Sequence, residues 1–148
     1  MVPTVVSMSL AELDRALQQV PFIETLGIRV EEARTGHVVL RLPFDPLVCN
    51  HSGALHSAGL FAVGELAAAV ALGTHPALQP FTQLQKSTKI KYFLPSSKDV
   101  TAHATVTPEM LDNIQSGATT LELSVKVLDG HGNDVAELAC NFSLRRKA

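Results

Sequence analysis

The chain has no tryptophan and only one tyrosine among 148 residues, although 46% of its residues are hydrophobic. A core built from such a sequence must consist mainly of small aliphatic side chains. The chain also lacks a surplus of basic residues, because its formal net charge is -2. Nucleic acid is therefore not expected as a partner, since its binding requires a positively charged surface. The length predicts a single domain, residues 1–148, with a core large enough to be stable.

Long uninterrupted apolar runs and cysteine frameworks are also missing. The longest apolar run contains His56 and Glu65 and is shorter than a comfortable bilayer span, so no membrane helix is expected. Cys49 and Cys140 are too few for a disulfide framework, which predicts a reducing, cytoplasmic location. No basic segment followed by an apolar core and a cleavage site is visible at the N-terminus, so no secretion signal is expected.

The central feature of the sequence is the stretch 50–72, which reads NHSGALHSAGLFAVGELAAAVAL. A polar opening leads into a proline-free run rich in Ala and Leu that stops at Gly73, and this pattern predicts a helix. Because the run is apolar nearly all round, the helix must be buried on most sides. Glu65 is its one acid, and a carboxylate in such surroundings is costly unless it is paired or used chemically.

Segments on both sides of this helix predict strands that can wrap around it. Before it, Ser9 and Glu12 form a capping box for a short amphipathic helix that ends at Pro21, and an arm or short strand is expected at residues 1–8. The N-terminal part is thus 1–22 and the core 27–145. An alternating hairpin is expected around Ile28 to Leu42, with its turn at Arg34-Thr35-Gly36, and strand-like segments are expected at 82–94, 100–107, 121–128 and 135–144. The pattern predicts an α+β fold, with a highly curved, mostly antiparallel sheet around one long helix.

The central stretch contains Asn50, Gly53 and His56 at its start and Glu65 nine positions after His56. This pattern resembles the hotdog fold, specifically its acyl-CoA thioesterase branch, which includes the hydroxybenzoyl-CoA and phenylacetate-pathway enzymes. That branch carries an Asn or Gln, a Gly, a His-Gly-Gly at the helix start and an Asp or Glu two to three turns later. The present chain departs from this pattern at Ser57 and Ala58 and so looks closer to less characterised members of the superfamily. The resemblance covers residue 27 to the C-terminus and is carried by Asn50, Gly53, His56, Glu65, Tyr92-Phe93-Leu94-Pro95, Asp129-Gly130 and Val135-Ala136.

The resemblance implies a cytoplasmic thioesterase that needs no cofactor or metal and hydrolyses an acyl-CoA or other acyl thioester. Glu65 would act as general base or nucleophile, and amides near Ser57 would polarise the carbonyl. A homodimer or a dimer of dimers is expected, with the site at the subunit seam. The implied catalytic residues are Glu65, Asn50, His56 and Ser57, and the implied substrate-binding residues are Gly53, Tyr92 and Lys98.

Each implied role has a structural alternative. Glu65 is alternatively a buried acid paired with a Lys or Arg, His56 a helix-start histidine bonded to a loop carbonyl, and Asn50 a cap or turn residue. Ser57 is of interest for its backbone amide rather than its hydroxyl. Lys98 and the other lysines after the helix are alternatively a solvated surface. We further expect Glu65 to lie on the same helix face as His56, nine positions earlier.

Other functions remain open. A non-catalytic acyl-CoA or lipid-binding hotdog protein is favoured by Ser57 and Ala58, whose side chains crowd the place where a thioester carbonyl would approach. A dehydratase needs an Asp and a His around the helix start in a pattern that the sequence does not show. A Cys49 nucleophile activated by His51 lacks an orienting acid. The set His51, His56 and Glu65 matches no familiar metal-ligand spacing.

Overall fold

The structure, a computed structural model, describes residues 7–148. The arm or short strand expected at residues 1–8 therefore lies almost wholly outside the described residues. The described helices are α1 (Leu10–Gln18), α2 (Pro21–Leu26), α3 (Ser57–Gly73) and α4 (Pro108–Gln115). The described strands are β1 (Arg29–Arg34), β2 (His37–Leu42), β3 (Phe81–Tyr92), β4 (Val100–Thr105), β5 (Thr120–Leu128) and β6 (Asp134–Arg146).

The six strands form one antiparallel sheet in the order β1-β2-β4-β5-β6-β3. Helix α3 packs against one face of this sheet and contacts β2, β4, β5, β6 and β3. All four strands expected after the helix are present, and the predicted α+β architecture is confirmed. Strand β3 lies at one edge of the sheet, so only one of its sides is paired within the described residues.

The alternation of polarity in the strands explains the burial of the sheet. In β5, four aliphatic side chains are buried while the polar residues between them are exposed, as the sequence predicts. Their partners on the neighbouring strands are alanines in β4 and Ala136, Leu138, Cys140 and Phe142 in β6, and together they form the layer beneath α3. The buried residues of this layer in β4, β5 and β6 are Val100, Ala102, Ala104, Leu121, Leu123, Val125, Val127, Ala136, Leu138, Cys140, Phe142 and Leu144.

Two helices in the structure are absent from the sequence prediction. Pro21 does not simply end α1 but also occupies the first turn of α2, which stops at Gly27 in a left-handed conformation (φ 75°). Helix α4 begins in the same way, because Thr107 accepts a hydrogen bond from the Met110 N–H and Pro108 follows it. Both helices therefore carry ordinary start signals, but the sequence prediction places no helix in either segment.

Helix α1 has the predicted capping box of Ser9 and Glu12 and is tied to the first strand. The buried Asp14 accepts hydrogen bonds from Arg29 Nε (3.0 Å) and from the Val30 N–H (2.9 Å). The Arg29 guanidinium holds the pKa of Asp14 below its usual range. Within residues 7–148, none of the helices is long and apolar enough to cross a membrane.

Candidate active site

Residues 50–56 form the loop that leads into α3, and Asn50 organises it. Its Oδ1 accepts the N–H groups of Ser52 (2.9 Å) and Ala54 (3.1 Å), and its carbonyl accepts the Gly53 N–H (3.1 Å). Asn50 thus has the turn geometry that was one of its two expected roles. Its Nδ2 has no hydrogen-bond partner within residues 7–148, so this donor remains available to a ligand.

His56 is the N-cap of α3. Its Nδ1 accepts the Ala58 N–H at 3.0 Å, and its carbonyl accepts the N–H groups of Gly59 and Leu60. The alternative that His56 bonds a loop carbonyl through its ring is not what the structure shows. Because Nδ1 is the acceptor, the ring proton of this arrangement lies on Nε2. Of the first-turn donors described, the Ser57 N–H alone is left without a partner.

The free Ser57 amide lies beside a cleft of about 270 Å³, which we call the helix-start cleft. Asn50 and Tyr92 also line it, and the Tyr92 hydroxyl donates to the Ser57 carbonyl at 3.3 Å. Three of the predicted site residues therefore meet here. Gly53 lies at the exposed turn of the loop with φ 76° and does not line this cleft.

Glu65 lies in a different cavity of about 410 Å³, which we call the Glu65 groove. The carboxylate is half-buried and makes no hydrogen bond or ion pair within the described part of the chain, so the expected alternative of a Lys or Arg partner finds no support there. The other lining residues are Val20, Phe22, Ile23, Ile28, Ala58, Phe61, Ala62, Leu66 and Ala69.

The expectation that Glu65 shares a helix face with His56 is wrong. Nine residues are two and a half turns, which places two positions about 180° apart, and His56 precedes the helical conformation in any case. Ala58 precedes Glu65 by seven residues, within about 20° of two full turns, and it does line the Glu65 groove. The uncovered side of α3 is therefore the one that carries Ala58 and Glu65.

The Ser57 amide and the Glu65 carboxylate of one chain lie far apart along α3. Ser57 and Glu65 are eight residues apart, which corresponds to about 12 Å along the helix axis. A base and an oxyanion donor that serve one carbonyl each lie about 3 Å from the reacting group, so together they span roughly 6 Å. The Glu65 side chain leans toward the start of the helix, but this shortens the distance only in part. One thioester cannot contact both groups of the same chain.

Lys98 lines a third, wide cavity of about 830 Å³, the Lys98 cavity, together with residues 95–99, 129–131 and Phe44. Pro95 lines this cavity and the helix-start cleft, so the two adjoin. The loop that carries Lys98 is held to the loop before α3, since Ser97 Oγ donates to the Gly53 carbonyl at 3.0 Å. Asp99 accepts the Phe44 N–H and pairs with Arg41, and these contacts lower its pKa.

The remaining chemical candidates are not brought together. Cys49 Sγ donates to the Asp45 carbonyl at 3.2 Å rather than contacting His51. Among residues 7–148, no three His, Cys, Asp or Glu side chains converge as a metal-binding group. Sequence reasoning missed one part of the site, the wall of the Glu65 groove formed by Val20, Phe22 and Ile23, because it missed α2. Pro21 followed by Gly27 was the available signal.

The chain matches one protein family and is similar to solved structures of the same fold. The model of a family described as a domain of unknown function (DUF4442) matches residues 12–144. The structure is similar to that of PA5026 from Pseudomonas aeruginosa, a protein of unknown function and probable thioesterase, with 26% identity, a TM-score of 0.82 and coverage of 93% of this chain and 96% of that one. No curated protein matches the chain.

Two further structures share the fold at lower identity. The thioesterase HI1161 from Haemophilus influenzae is 16% identical, with a TM-score of 0.79 over 98% of this chain and 96% of that one. A variant of the phenylacetic acid degradation protein PaaI from Thermus thermophilus is 24% identical, with a TM-score of 0.68 over 83% of this chain and 97% of that one. The predicted hotdog fold is confirmed by these similarities.

Proposed function

Because the chain belongs to the DUF4442 family and has the hotdog fold, we propose that it is a thioesterase that hydrolyses an acyl thioester of coenzyme A or of a related carrier. The observation that carries the proposal is the Glu65 carboxylate, which lies in an apolar groove without a partner in the described part of the chain. A half-buried, unpaired acid is costly to stability and is typical of a group retained for chemistry. The probable thioesterase PA5026 shares this architecture over nearly the whole chain.

In the proposed reaction, Glu65 takes a proton from water and the resulting hydroxide attacks the thioester carbonyl carbon. The developing oxyanion accepts hydrogen bonds from the Ser57 N–H and from Asn50 Nδ2, which both lack protein partners in the described chain. The C–S bond then breaks, and the leaving thiolate takes up the proton that Glu65 received from water, which restores the carboxylate. Direct attack by Glu65, which forms an anhydride that water hydrolyses, uses the same groups.

The proposal requires a homodimer, because about 12 Å separates Ser57 from Glu65 along one helix. Glu65 of one subunit would act on a carbonyl bound at the Ser57 amide of its partner. Strand β3 supplies a surface for such a dimer, since it is a 12-residue edge strand with an exposed Leu84. Pairing of β3 with the same strand of a second copy would join the two sheets. A monomer in light scattering at micromolar concentration contradicts this arrangement.

The carrier part of the substrate is proposed to follow the helix-start cleft past Tyr92 to the Lys98 cavity, which adjoins it at Pro95. Lys98 would contact a phosphate of coenzyme A there. The cavity also contains Asp99 and Asp129, but both already accept backbone N–H groups. Asp99 also pairs with Arg41, whereas Asp129 stays negatively charged, so Lys98 offers the one fixed positive charge that this lining presents to an anionic carrier.

The direct test is the release of free thiol from a panel of acyl-CoA compounds by the wild type and by Glu65→Gln. We expect the variant to lose at least 100-fold in kcat, in line with the loss of a general base. Glu122→Gln, an exposed acid on the sheet, is the matched control and should keep the wild-type rate. An active wild type whose Glu65→Gln variant keeps full activity would remove Glu65 from the mechanism.

A non-catalytic acyl-CoA-binding protein is the second candidate. It is favoured by the cap that His56 forms. Because His56 Nδ1 accepts the Ala58 N–H, only the Ser57 N–H remains among the described first-turn amides to bind an oxyanion. The Ser57 and Ala58 side chains also stand where the related enzymes have glycines. Tight binding of acyl-CoA compounds by the wild type, with no release of thiol from any of them, identifies this alternative.

A further inference from the structure

The lining of the Glu65 groove restricts what can occupy it. Nine of its ten lining residues have hydrocarbon side chains, and Glu65 is the tenth. No side chain in the lining can donate a hydrogen bond, and none is positively charged. Away from Glu65, the one acceptor among these side chains, a ligand hydroxyl or amide would therefore lose its hydration without compensation, and a ligand carboxylate would do so anywhere in the groove. A terminal carboxylate would in addition meet the negative charge of Glu65.

The size of the groove restricts the occupant as well. The groove extends along α3 from Ala58 to Ala69, which corresponds to about 16 Å. Its volume is about 410 Å³, whereas an engineered cavity of about 150 Å³ is sufficient for benzene. Six carbons would thus fill roughly a third of the groove, so its volume sets an upper limit of about sixteen carbons, and a chain of about eight to twelve carbons fills half of it or more. Acetyl or propionyl groups would leave most of it empty.

A second protein chain is a poorer occupant than a hydrocarbon chain. Burying the groove against a protein surface would seal Glu65 in an interface without a partner from the described residues of its own chain, which is expensive. A thioester substrate uses that carboxylate instead. Two side chains at the rim, Phe22 (63% exposed) and Val20 (45% exposed), can pack along a flexible hydrocarbon chain that enters from solvent.

We propose that the Glu65 groove binds the acyl part of the substrate, and that this acyl group is an unsubstituted hydrocarbon chain of medium length without polar or charged groups. This inference rests on the proposed function for the position of the thioester, but its binding test does not require turnover. Phe61 and Ala62, about one turn before Glu65, would contact the acyl chain, and Ala69 lines the groove one turn beyond Glu65.

The test measures the affinity of the wild type, whose groove keeps the Glu65 carboxylate, for non-hydrolysable thioether analogues of butyryl-, hexanoyl-, octanoyl- and suberyl-CoA, with free coenzyme A as baseline. Affinity should rise about fourfold per methylene from butyryl to octanoyl. Suberyl-CoA, which differs from octanoyl-CoA by its terminal carboxylate, should bind at least tenfold more weakly. In the same background, Ala69→Phe should lower the octanoyl-to-butyryl affinity ratio at least tenfold, and Ala69→Leu should lower it less. Ala11→Phe, at an exposed position of α1, is the size-matched control and should leave the ratio unchanged.

Affinity that is independent of chain length overturns the inference, and so does equal binding of suberyl- and octanoyl-CoA. The inference is also overturned if Ala69→Phe dissociates into monomers while the ratio of octanoyl-CoA to butyryl-CoA affinity is unchanged. The groove would then be a contact between two copies of the chain. Chain-length-dependent binding without hydrolysis by the wild type refutes the proposed function alone. If the wild type hydrolyses the substrates with a kcat/KM that is independent of acyl chain length, only the assignment of the Glu65 groove as the acyl site is refuted.

Discussion

Gly64 of α3 lies so close to Leu138 of β6 that a Cβ placed on Gly64 would stand 2.5 Å from Leu138 Cδ1 and 2.7 Å from Cδ2. Leu138 is fully buried, so its side chain can move away from residue 64 only by displacing other residues of the close-packed core. The absence of a side chain at residue 64 thus sets the distance between the helix and the sheet. Glu65 is the next residue, and its position over the groove depends on that distance.

We therefore expect Gly64→Ala to destabilise the protein by about 1–3 kcal/mol, since the added methyl overpacks the core. Helix propensity alone predicts the opposite sign, a gain of about 1 kcal/mol for Ala over Gly in a helix. Urea denaturation measures the change, and thiol release should fall with it because Glu65 is displaced.

Gly59→Ala is the matched control for this prediction. It lies in the same helix, but its added Cβ would be 3.4 Å from Leu42 Cδ2, at the edge of ordinary van der Waals contact. We expect its stability to stay within about 1 kcal/mol of the wild type. Equal effects of the two substitutions would show that the close approach to Leu138 is not what limits residue 64.

The free amide of Ser57 can be removed without removing the helix. Ser57 is the first residue of α3, where proline is favoured because its missing N–H has no helical partner. His56 already has the extended conformation that must precede a proline (φ -65°, ψ 141°). Ser57→Pro should thus fold normally but lose about 100- to 1000-fold in kcat, as for the loss of one oxyanion donor.

The control for the amide is Ser57→Ala, which keeps the N–H and removes the hydroxyl. Circular dichroism and thermal unfolding show whether each variant retains the helix, and thiol release gives kcat. We expect Ser57→Ala to stay near the wild-type rate. A Ser57→Pro variant that folds and retains full activity would show that this amide does not stabilise the oxyanion.

The contact between Asp14 and Arg29 predicts a dependence of stability on pH. Hydrogen bonds from Arg29 lower the folded-state pKa of Asp14, so its contribution is present above the unfolded value of about 3.9 and is lost as the pH falls through the folded pKa. Asp14→Asn should cost about 1–3 kcal/mol at pH 7 because the charge-assisted bonds from Arg29 are lost. In urea denaturation from pH 7 to pH 3, the difference from the wild type should narrow in acid. A constant difference over that range would contradict the assignment.

The sequence was sufficient for features that depend on local periodicity. Alternation in residues 121–127 predicts the buried and exposed faces of β5, and the apolar run around Glu65 predicts α3. Features that depend on contacts between distant segments were not accessible in this way. The clash partner of Gly64 lies 74 residues away in the sequence, and the wall of the Glu65 groove comes from α2, a six-residue helix too short for a clear periodic signal.

The candidate site shows the same division. The residue types at positions 50, 57, 65 and 92 suggest the proposed chemistry, but the sequence could not show that Glu65 and Ser57 line different cavities. Likewise, the imidazole of His56 is equally compatible with catalysis and with capping until its hydrogen bond to the Ala58 N–H is known. Helical geometry alone would have excluded the shared face of His56 and Glu65.

The two atoms of the Asn50 amide group can be tested separately. Oδ1 holds the loop through Ser52 and Ala54, whereas Nδ2 has no partner within the described chain. Asn50→Asp keeps an acceptor for both backbone groups and removes the donor, so the fold should persist. Its kcat should fall at least tenfold, because the donor is lost and a negative charge stands near the developing oxyanion.

Asn50→Ala separates the structural role from the chemical one. It removes both atoms and leaves the Ala54 N–H without its side-chain partner, which should cost about 1–2 kcal/mol in urea denaturation. We therefore expect Asn50→Asp to be close to the wild type in stability but impaired in thiol release, and Asn50→Ala to be impaired in both. If Asn50→Asp instead retains the wild-type kcat, Asn50 only shapes the loop, and the Ser57 N–H is the remaining donor to the oxyanion.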